Sequence, residues 1–114
     1  GHSLGGVRAC QLSADAQGLV LFASYCANDV SSSGLPVLSV SGSEDGLSTP
    51  AKIADARTLL PQDADMVQID GANHAAFGSY GPQSGDGTAT IERTVSDAAI
   101  ADAVSVFLTD RVAP

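Results

Sequence analysis

Short apolar runs alternate with longer amphipathic segments along this chain. Residues 19–23, 37–40 and 66–70 are short runs rich in Val, Leu or Ile. The first two are bounded by Gly, Ser and Pro, which is typical of strands buried on both faces. The third alternates apolar with polar side chains, which also favours a strand. The pattern therefore predicts three β-strands.

Three other segments have the periodicity or the end signals of helices. The first covers residues 4 to about 13. The second has Ser48 or Thr49 as its N-cap and Pro50 at its first helical position, and it stops at Pro61. The last is the clearest, because an apolar residue recurs every fourth position on one broad face. These residues are Val95, Ala99, Ala103 and Phe107.

The order of these elements predicts an α/β protein whose parallel sheet is flanked by helices. The connection over residues 25–36 is about as short as a parallel crossover can be, at roughly a dozen residues, so it leaves no room for a cap domain. Residues 75–94, by contrast, form a polar, Gly-rich stretch that is longer than most structureless loops. We expect one domain, or part of one, over residues 1–114.

Composition narrows the possible partners and cellular locations. The 114 residues carry a formal net charge of -8 with only five Lys and Arg, which argues against a nucleic-acid partner. No stretch approaches the ~18 apolar residues of a membrane helix. The first residue is Gly1 and not Met, so we expect that the natural N-terminus lies upstream and leave the localisation open.

Cys10 and Cys26 lack CxxC spacing and a companion His, so a zinc site is not expected. Because Cys prefers protein cores, we expect two buried free thiols. A disulfide between them is the alternative.

A serine nucleophile is indicated by Gly-His-Ser-Leu-Gly at residues 1–5. This sequence matches the G-x-S-x-G turn, in which a sharp strand-to-helix connection holds the serine in a strained conformation. The motif alone is a weak signal, so its context has to decide. An apolar helix follows directly, and we therefore take Ser3 as the candidate nucleophile.

A serine nucleophile needs a base, and the chain contains only two histidines. His2 adjoins Ser3, and neighbouring residues that leave a strand point to opposite sides, so His2 is poorly placed to take the proton. His74 follows the third strand, in a loop at the end of the sheet where α/β proteins build their sites. His74 is therefore the predicted base.

The base in turn needs a carboxylate that orients its ring. Asp45 directly follows the second strand and is the preferred candidate, while Glu44 and Asp70 remain alternatives. The chain order serine, acid, histidine is that of α/β-hydrolases. We also expect the strand that leads into Ser3 to lie beside the first strand, so that His74 bridges the gap to Asp45.

These residues resemble the α/β-hydrolase superfamily, in particular its compact serine hydrolases of the dienelactone-hydrolase-like and α/β-hydrolase fold-5 kind. The resemblance spans nearly the whole chain. It rests on Gly-His-Ser-Leu-Gly-Gly at 1–6, Leu-Pro-Val-Leu at 35–38, Gly-Ser-Glu-Asp-Gly at 42–46, Gly-Ala-Asn-His at 71–74 and Phe-Gly at 77–78.

The resemblance implies that the chain is the C-terminal portion of a single α/β-hydrolase domain, with the last three strands of an eight-stranded sheet. It implies Ser3 as nucleophile, Asp45 as acid, His74 as base and the backbone N–H of Leu4 as one oxyanion donor. Dienelactone hydrolases have cysteine where Ser3 stands, so their substrate is not carried over. Because the second oxyanion donor would lie upstream, we expect the isolated chain to be inactive or nearly so.

The expected function is a serine hydrolase that acts on carboxylic esters or related acyl compounds through an acyl-enzyme, with no cofactor and no metal. An acyltransferase with the same triad, a non-catalytic ligand-binding member of the fold, and an unrelated α/β domain with a coincidental motif are the alternatives. The long loop over residues 75–94 either partly covers the acyl pocket, with Phe77 or Tyr80 touching substrate, or is a solvated surface loop.

Overall fold

The computed structural model describes residues 1–79 and 81–112, and within them the prediction of an α/β fold with a parallel sheet is confirmed. No helix in these ranges is long and apolar enough to cross a bilayer. The sheet has the strand order β1-β2-β3. Its strands are β1 (Leu19–Phe22), β2 (Val37–Gly42) and β3 (Asp65–Ile69), and the helices are α1 (Leu4–Gln11), α2 (Pro50–Ala56) and α3 (Arg93–Phe107).

The central strand β2 is buried at every position, because helices cover both faces of the sheet. Alternate residues therefore belong to two separate cores. Val37 packs with the residues of α1 and β1, whereas Leu38 packs with α3 through Phe107. Both β2 edges are paired in parallel, so the carboxyl ends of all three strands lie along one edge of the sheet. The loops that follow these strands are thereby brought together.

Helix α2 begins as its capping residues predict. Of the two predicted N-caps the structure uses Thr49, whose Oγ1 accepts a hydrogen bond from the Lys52 N–H at 3.3 Å, and Pro50 occupies the first turn. The α-helix ends at Ala56 and is continued by a 3₁₀ turn, Arg57–Leu59. The turn ends two residues before the predicted stop at Pro61.

The predicted loop over residues 75–94 is shorter in the structure. A 3₁₀ turn, His74–Phe77, begins it, and α3 starts at Arg93, ahead of the apolar stripe. Tyr80, which was expected to be able to touch substrate, lies outside the described residues. After α3 a π-helical turn, Leu108–Val112, closes the described chain.

The expectation of free thiols is wrong, because Cys10 and Cys26 form a disulfide. The end of α1 and the loop after β1 pack on the same face of the sheet, and both cysteines are buried in that core. Their Cα atoms lie 5.6 Å apart, within the range that a disulfide can span. Sequence spacing alone carries no information about this approach.

Candidate active site

Ser3 lies in a sharp turn between an extended segment and α1. Gly1 and His2 run parallel to β1: the Phe22 N–H donates to the Gly1 carbonyl at 2.8 Å, and the Ser3 N–H donates to the Phe22 carbonyl at 3.2 Å. At Ser3 the backbone turns to φ 54° and ψ -125°, and the next residue, Leu4, begins the helix. A positive φ is strained for a residue other than glycine, and such strain is often found at functional sites.

Two glycines allow this turn to pack tightly. A Cβ at Gly6 would lie 1.9 Å from the Ser24 Oγ, and a Cβ at Gly1 would lie 2.4 Å from the Gly5 carbonyl oxygen. Neither space can hold a side chain. The Ser24 hydroxyl donates a hydrogen bond of 2.5 Å to the Ser3 carbonyl, so the second residue after β1 stabilises the turn.

His74 lies between the other two predicted site residues. Its Nε2 is 3.0 Å from the Ser3 Oγ, and its Nδ1 is 2.9 Å from the Asp45 Oδ2. His74 and Asp45 are only 1% and 3% exposed. Burial away from water strengthens such hydrogen bonds. It also makes a buried polar group without a hydrogen-bond partner costly in free energy. The structure therefore brings Ser3, His74 and Asp45 into one hydrogen-bonded chain.

The carboxylate of Asp45 is itself held by the backbone. Its Oδ1 accepts hydrogen bonds from the Leu47 and Ser48 N–H groups, both at 2.8 Å. The Oδ2 is left to face His74. The alternative acids, Glu44 and Asp70, are both exposed. Asp45 is thus the acid that contacts the base.

His2 packs against the side of His74. The two ring centroids lie 5.0 Å apart, and the His2 ring also stacks on Phe77 at 6.5 Å. Burial lowers the pKa of His2, and the positive charge that His74 carries when protonated lowers it further. His2 is therefore a neutral neighbour of the base at physiological pH.

Leu4, the predicted oxyanion donor, is the first residue of α1. The N–H groups of a helix's first turn have no intrahelical acceptor, and they carry the positive end of the helix dipole. Its side chain is 83% exposed, so the position is fixed by its backbone and not by packing. An N–H at this position can favour negative charge that develops beside Ser3.

A small cavity of about 160 Å³ lies beside Ser3. Phe77, which was predicted to be able to touch substrate, packs against His2 and Phe22 and does not line this cavity. Sequence reasoning missed Tyr25 and Leu47, although both follow strand ends on the edge where such sites form. The cavity is lined by Ser3, Leu4, Val7, Ser24, Tyr25, Leu47 and Ser48.

Sequence reasoning also missed Asp86, in the long Gly-rich loop. Its carboxylate accepts hydrogen bonds from the backbone beside His74 and from the backbone beside Asp45. The pattern Gly-Asp-Gly at residues 85–87 was the available signal.

Within residues 1–79 and 81–112, no cluster of three or more His, Cys, Asp or Glu could hold a metal ion.

Comparison with known proteins gives the same fold. A family model described as "Alpha/beta hydrolase family" matches residues 1–97. A solved structure of an alpha/beta hydrolase enzyme from the metagenome of sediments from the lagoon of Mar Chica, Morocco, is similar with a TM-score of 0.58 and 22% sequence identity. The match covers 70% of this chain and 53% of that chain, so it spans about half the length of that enzyme.

The curated proteins give no match to this sequence. The family model and this solved structure nevertheless agree with the order of strands and helices and confirm the resemblance seen in the sequence. Because the family match covers well over half of the residues, the chain belongs to the alpha/beta hydrolase family.

Proposed function

We propose that this chain carries the catalytic machinery of a serine hydrolase that acts on carboxylic esters or related acyl compounds. The observation that supports this most directly is the continuous chain of hydrogen bonds from the Ser3 Oγ through both ring nitrogens of His74 to the Asp45 carboxylate. Membership of the alpha/beta hydrolase family supports hydrolytic chemistry in general. The ester substrate and the acyl-enzyme route are the finer parts of the proposal.

In the first half-reaction the Ser3 Oγ attacks the carbonyl carbon while His74 Nε2 takes the hydroxyl proton. The carbonyl π electrons move to the oxygen, and the Leu4 N–H stabilises the resulting oxyanion. Collapse of this intermediate breaks the bond to the leaving alcohol. His74 gives its proton to the departing alkoxide oxygen, so that the alcohol is released and Ser3 remains acylated.

In the second half-reaction water replaces the alcohol. His74 takes a proton from the water while the water oxygen attacks the acyl carbon. His74 then returns this proton to the Ser3 Oγ when the bond between Ser3 and the acyl group breaks. Asp45 holds His74 in the tautomer that carries a proton on Nδ1. It also stabilises the imidazolium form of His74 in both half-reactions, without being protonated itself. The two backbone N–H groups on the Asp45 Oδ1 keep this carboxylate oriented.

We expect small or medium-sized soluble esters as substrates. The cavity beside Ser3 is about 160 Å³, well below the usual ~300 Å³ or more of pockets that enclose drug-sized ligands. Tyr25 and Leu47 contribute its walls, so it offers an apolar space to a short chain. The short connection between β1 and β2 adds no cap over it.

The test is covalent labelling in the protein that carries this chain. A fluorophosphonate probe should label Ser3, and Ser3→Ala should abolish both labelling and hydrolysis of p-nitrophenyl acetate. Asp45→Asn should lower kcat by about 10⁴-fold, because the ring of His74 would then be held in the wrong tautomer. Peptide mapping of the labelled protein identifies the modified serine.

Ser32→Ala is the matched control, because Ser32 is an exposed serine in the loop between β1 and β2. It should leave labelling and turnover unchanged. Labelling that persists in Ser3→Ala, or a folded protein that neither reacts with the probe nor hydrolyses an ester, would contradict the proposal.

A further inference from the structure

We propose that Asp86 is a positioning residue that fastens the loop bearing the acid to the loop bearing the base. This inference rests on the proposed function, since it concerns the geometry of the same site. Asp86 lies in the Gly-rich loop, 41 residues beyond Asp45 and 12 beyond His74, as the sequence positions 45, 74 and 86 give. It contacts neither Ser3 nor the His74 ring through any bond described above. Its effect on the reaction would pass through the backbone.

The carboxylate of Asp86 binds the backbone of two other loops at once. Its Oδ1 accepts from the Gly46 N–H at 3.2 Å and from the His74 N–H at 3.0 Å, and its Oδ2 accepts from the Ala75 N–H at 3.0 Å. The Gly87 N–H adds a local hydrogen bond of 2.8 Å to Oδ1. Gly46 directly follows the acid, and His74 is the base itself. One side chain therefore spans both loops.

This arrangement favours the ionised carboxylate. Burial disfavours the charge of Asp86, but the four backbone N–H groups outweigh burial and hold the pKa of this carboxyl below its usual value. Hydrogen bonds to an ionised acceptor are stronger than those between neutral groups. The negative charge also faces the N–H groups that open the 3₁₀ turn at His74.

The backbone around Asp86 fits closely against the acid loop. A Cβ at Gly87 would lie 2.0 Å from the Glu44 carbonyl oxygen, and a Cβ at Gly46 would lie 2.5 Å from the Gly85 carbonyl oxygen. Only glycine fits at these two points. Asn73 adds a second link, because its Nδ2 donates to the Gly87 carbonyl at 3.1 Å. These contacts should keep the loop in place in a variant without the Asp86 carboxylate, whereas the N–H groups of Gly46 and His74 would lose their shared acceptor.

Positioning of this kind matters because the reaction depends on short distances. His74 Nδ1 must stay near Asp45 while Nε2 faces Ser3, at 2.9 and 3.0 Å. A displacement of about 1 Å in such a site can cost roughly 10²-fold in rate. The side-chain bond from Asp45 orients the His74 ring, whereas Asp86 fixes the backbone from which that ring projects.

The experiment compares Asp86→Asn and Asp86→Ala in the protein that carries this chain. Asn keeps one carbonyl oxygen as an acceptor and places an NH₂ group where Oδ2 stood, while Ala removes both acceptors. We expect kcat to fall by about 10-fold in Asp86→Asn and about 10²-fold in Asp86→Ala, with KM nearly unchanged. The low-field proton NMR signal of the His74 Nδ1–H should shift or broaden in the same order.

Asp70→Asn is the matched control, because it removes one negative charge from an exposed side chain four positions before His74. Its kcat and NMR signal should equal those of the unaltered protein. The inference is overturned if both Asp86 variants behave like Asp70→Asn. It is also overturned if activity falls only in proportion to the unfolded fraction while the NMR signal of the folded molecules is unchanged.

These outcomes separate the two proposals. If Ser3 reacts with the fluorophosphonate probe and the Asp86 variants keep full kcat, only the role of Asp86 fails. If Ser3 does not react and no ester is hydrolysed, the proposed function fails, and the NMR signal of His74 still reports whether Asp86 positions it. Should Asp86→Ala not fold, Asp86→Asn alone gives the comparison.

Discussion

Two imidazole rings lie side by side at this site, and the ring of His74 contacts the serine hydroxyl. The ring of His2 packs on the flank of His74, whereas the Ser3 Oγ faces its Nε2. A positive charge on His74 opposes the protonation of His2. Asp45 acts in the opposite sense and favours the charged form of His2.

The lowered pKa of His2 predicts a loss of stability in mild acid. Its unperturbed value is 6.5. Below that pH the unfolded chain takes up a proton that the folded chain resists, so the full contribution is present above 6.5 and is lost as pH falls toward the folded value. The free energy of unfolding, measured by urea titration between about pH 8 and about pH 5, should therefore decrease toward acid.

His2→Gln, which does not titrate, should reduce this decrease. His74 and Asp45 face His2 and are present in both proteins. The difference between the two pH profiles therefore gives the contribution of His2 titration to the free energy of unfolding. Identical profiles for His2→Gln and the unaltered chain would show that His2 titrates alike in the folded and unfolded states, against the expectation.

Among individual residues, the sequence predicted the three that lie in recognisable motifs and that the structure brings together. Ser3, His74 and Asp45 follow from residue type and chain order. Asp86 and Tyr25 could not be predicted in the same way. Their contacts depend on how loops fold back on the sheet edge, which hydrophobic periodicity does not encode.

Helix α1 packs against the chain at the end of strand β1, beside the turn at Ser3. Because a Cβ at Gly6 would lie 1.9 Å from the Ser24 Oγ and 2.5 Å from its Cβ, the helix has no space for a larger residue there. Gly6→Ala should lower the free energy of unfolding by about 1–3 kcal/mol and shift the turn, lowering kcat as well. Thermal or urea unfolding measures the first effect.

Gly5→Ala is a stringent control for Gly6→Ala. A Cβ at Gly5 meets nothing within 4 Å in this structure, and alanine favours helix more than glycine by about 1 kcal/mol. Stability should therefore be retained or increased. Equal losses in the two variants would contradict the steric explanation, whereas partial recovery in Gly6→Ala combined with Ser24→Gly would support it.

The extents of the elements were predicted well where breakers frame apolar runs. Pro36 precedes β2 directly, and Pro50 opens α2 after the Thr49 cap. The prediction failed where local hydrogen bonds set the end: α2 passes into a 3₁₀ turn after Ala56, and α3 begins at Arg93 before its apolar stripe. Periodicity locates a buried face but not the first or last hydrogen bond.

For the molecule as a whole, the disulfide joins α1 to the loop after β1 across one core. The two cysteines are 16 residues apart. Closing a loop of that size stabilises a fold by about 3 kcal/mol in the chain-entropy account. Cys10→Ala combined with Cys26→Ala should therefore lower the melting temperature, as should a reducing agent added to the unaltered chain.

The double variant serves as its own control for reduction. Its melting temperature should not respond to the reducing agent, because no disulfide remains. If the unaltered chain also fails to respond, although its thiols are shown to be free after treatment, the disulfide contributes nothing to stability.

Ser3 and His74 are separated by 71 positions, and all three strands lie between them. Their contact is therefore among the most non-local in the chain, and non-local contacts are formed late and slowly in folding. Packing of the core around α1 and β1 does not by itself bring the Ser3 hydroxyl to the His74 imidazole. Formation of the helices does not do so either. Under the proposed function, the reactivity of Ser3 therefore requires the finished sheet, because a chain in which β3 has not yet docked lacks the contact between Ser3 and His74.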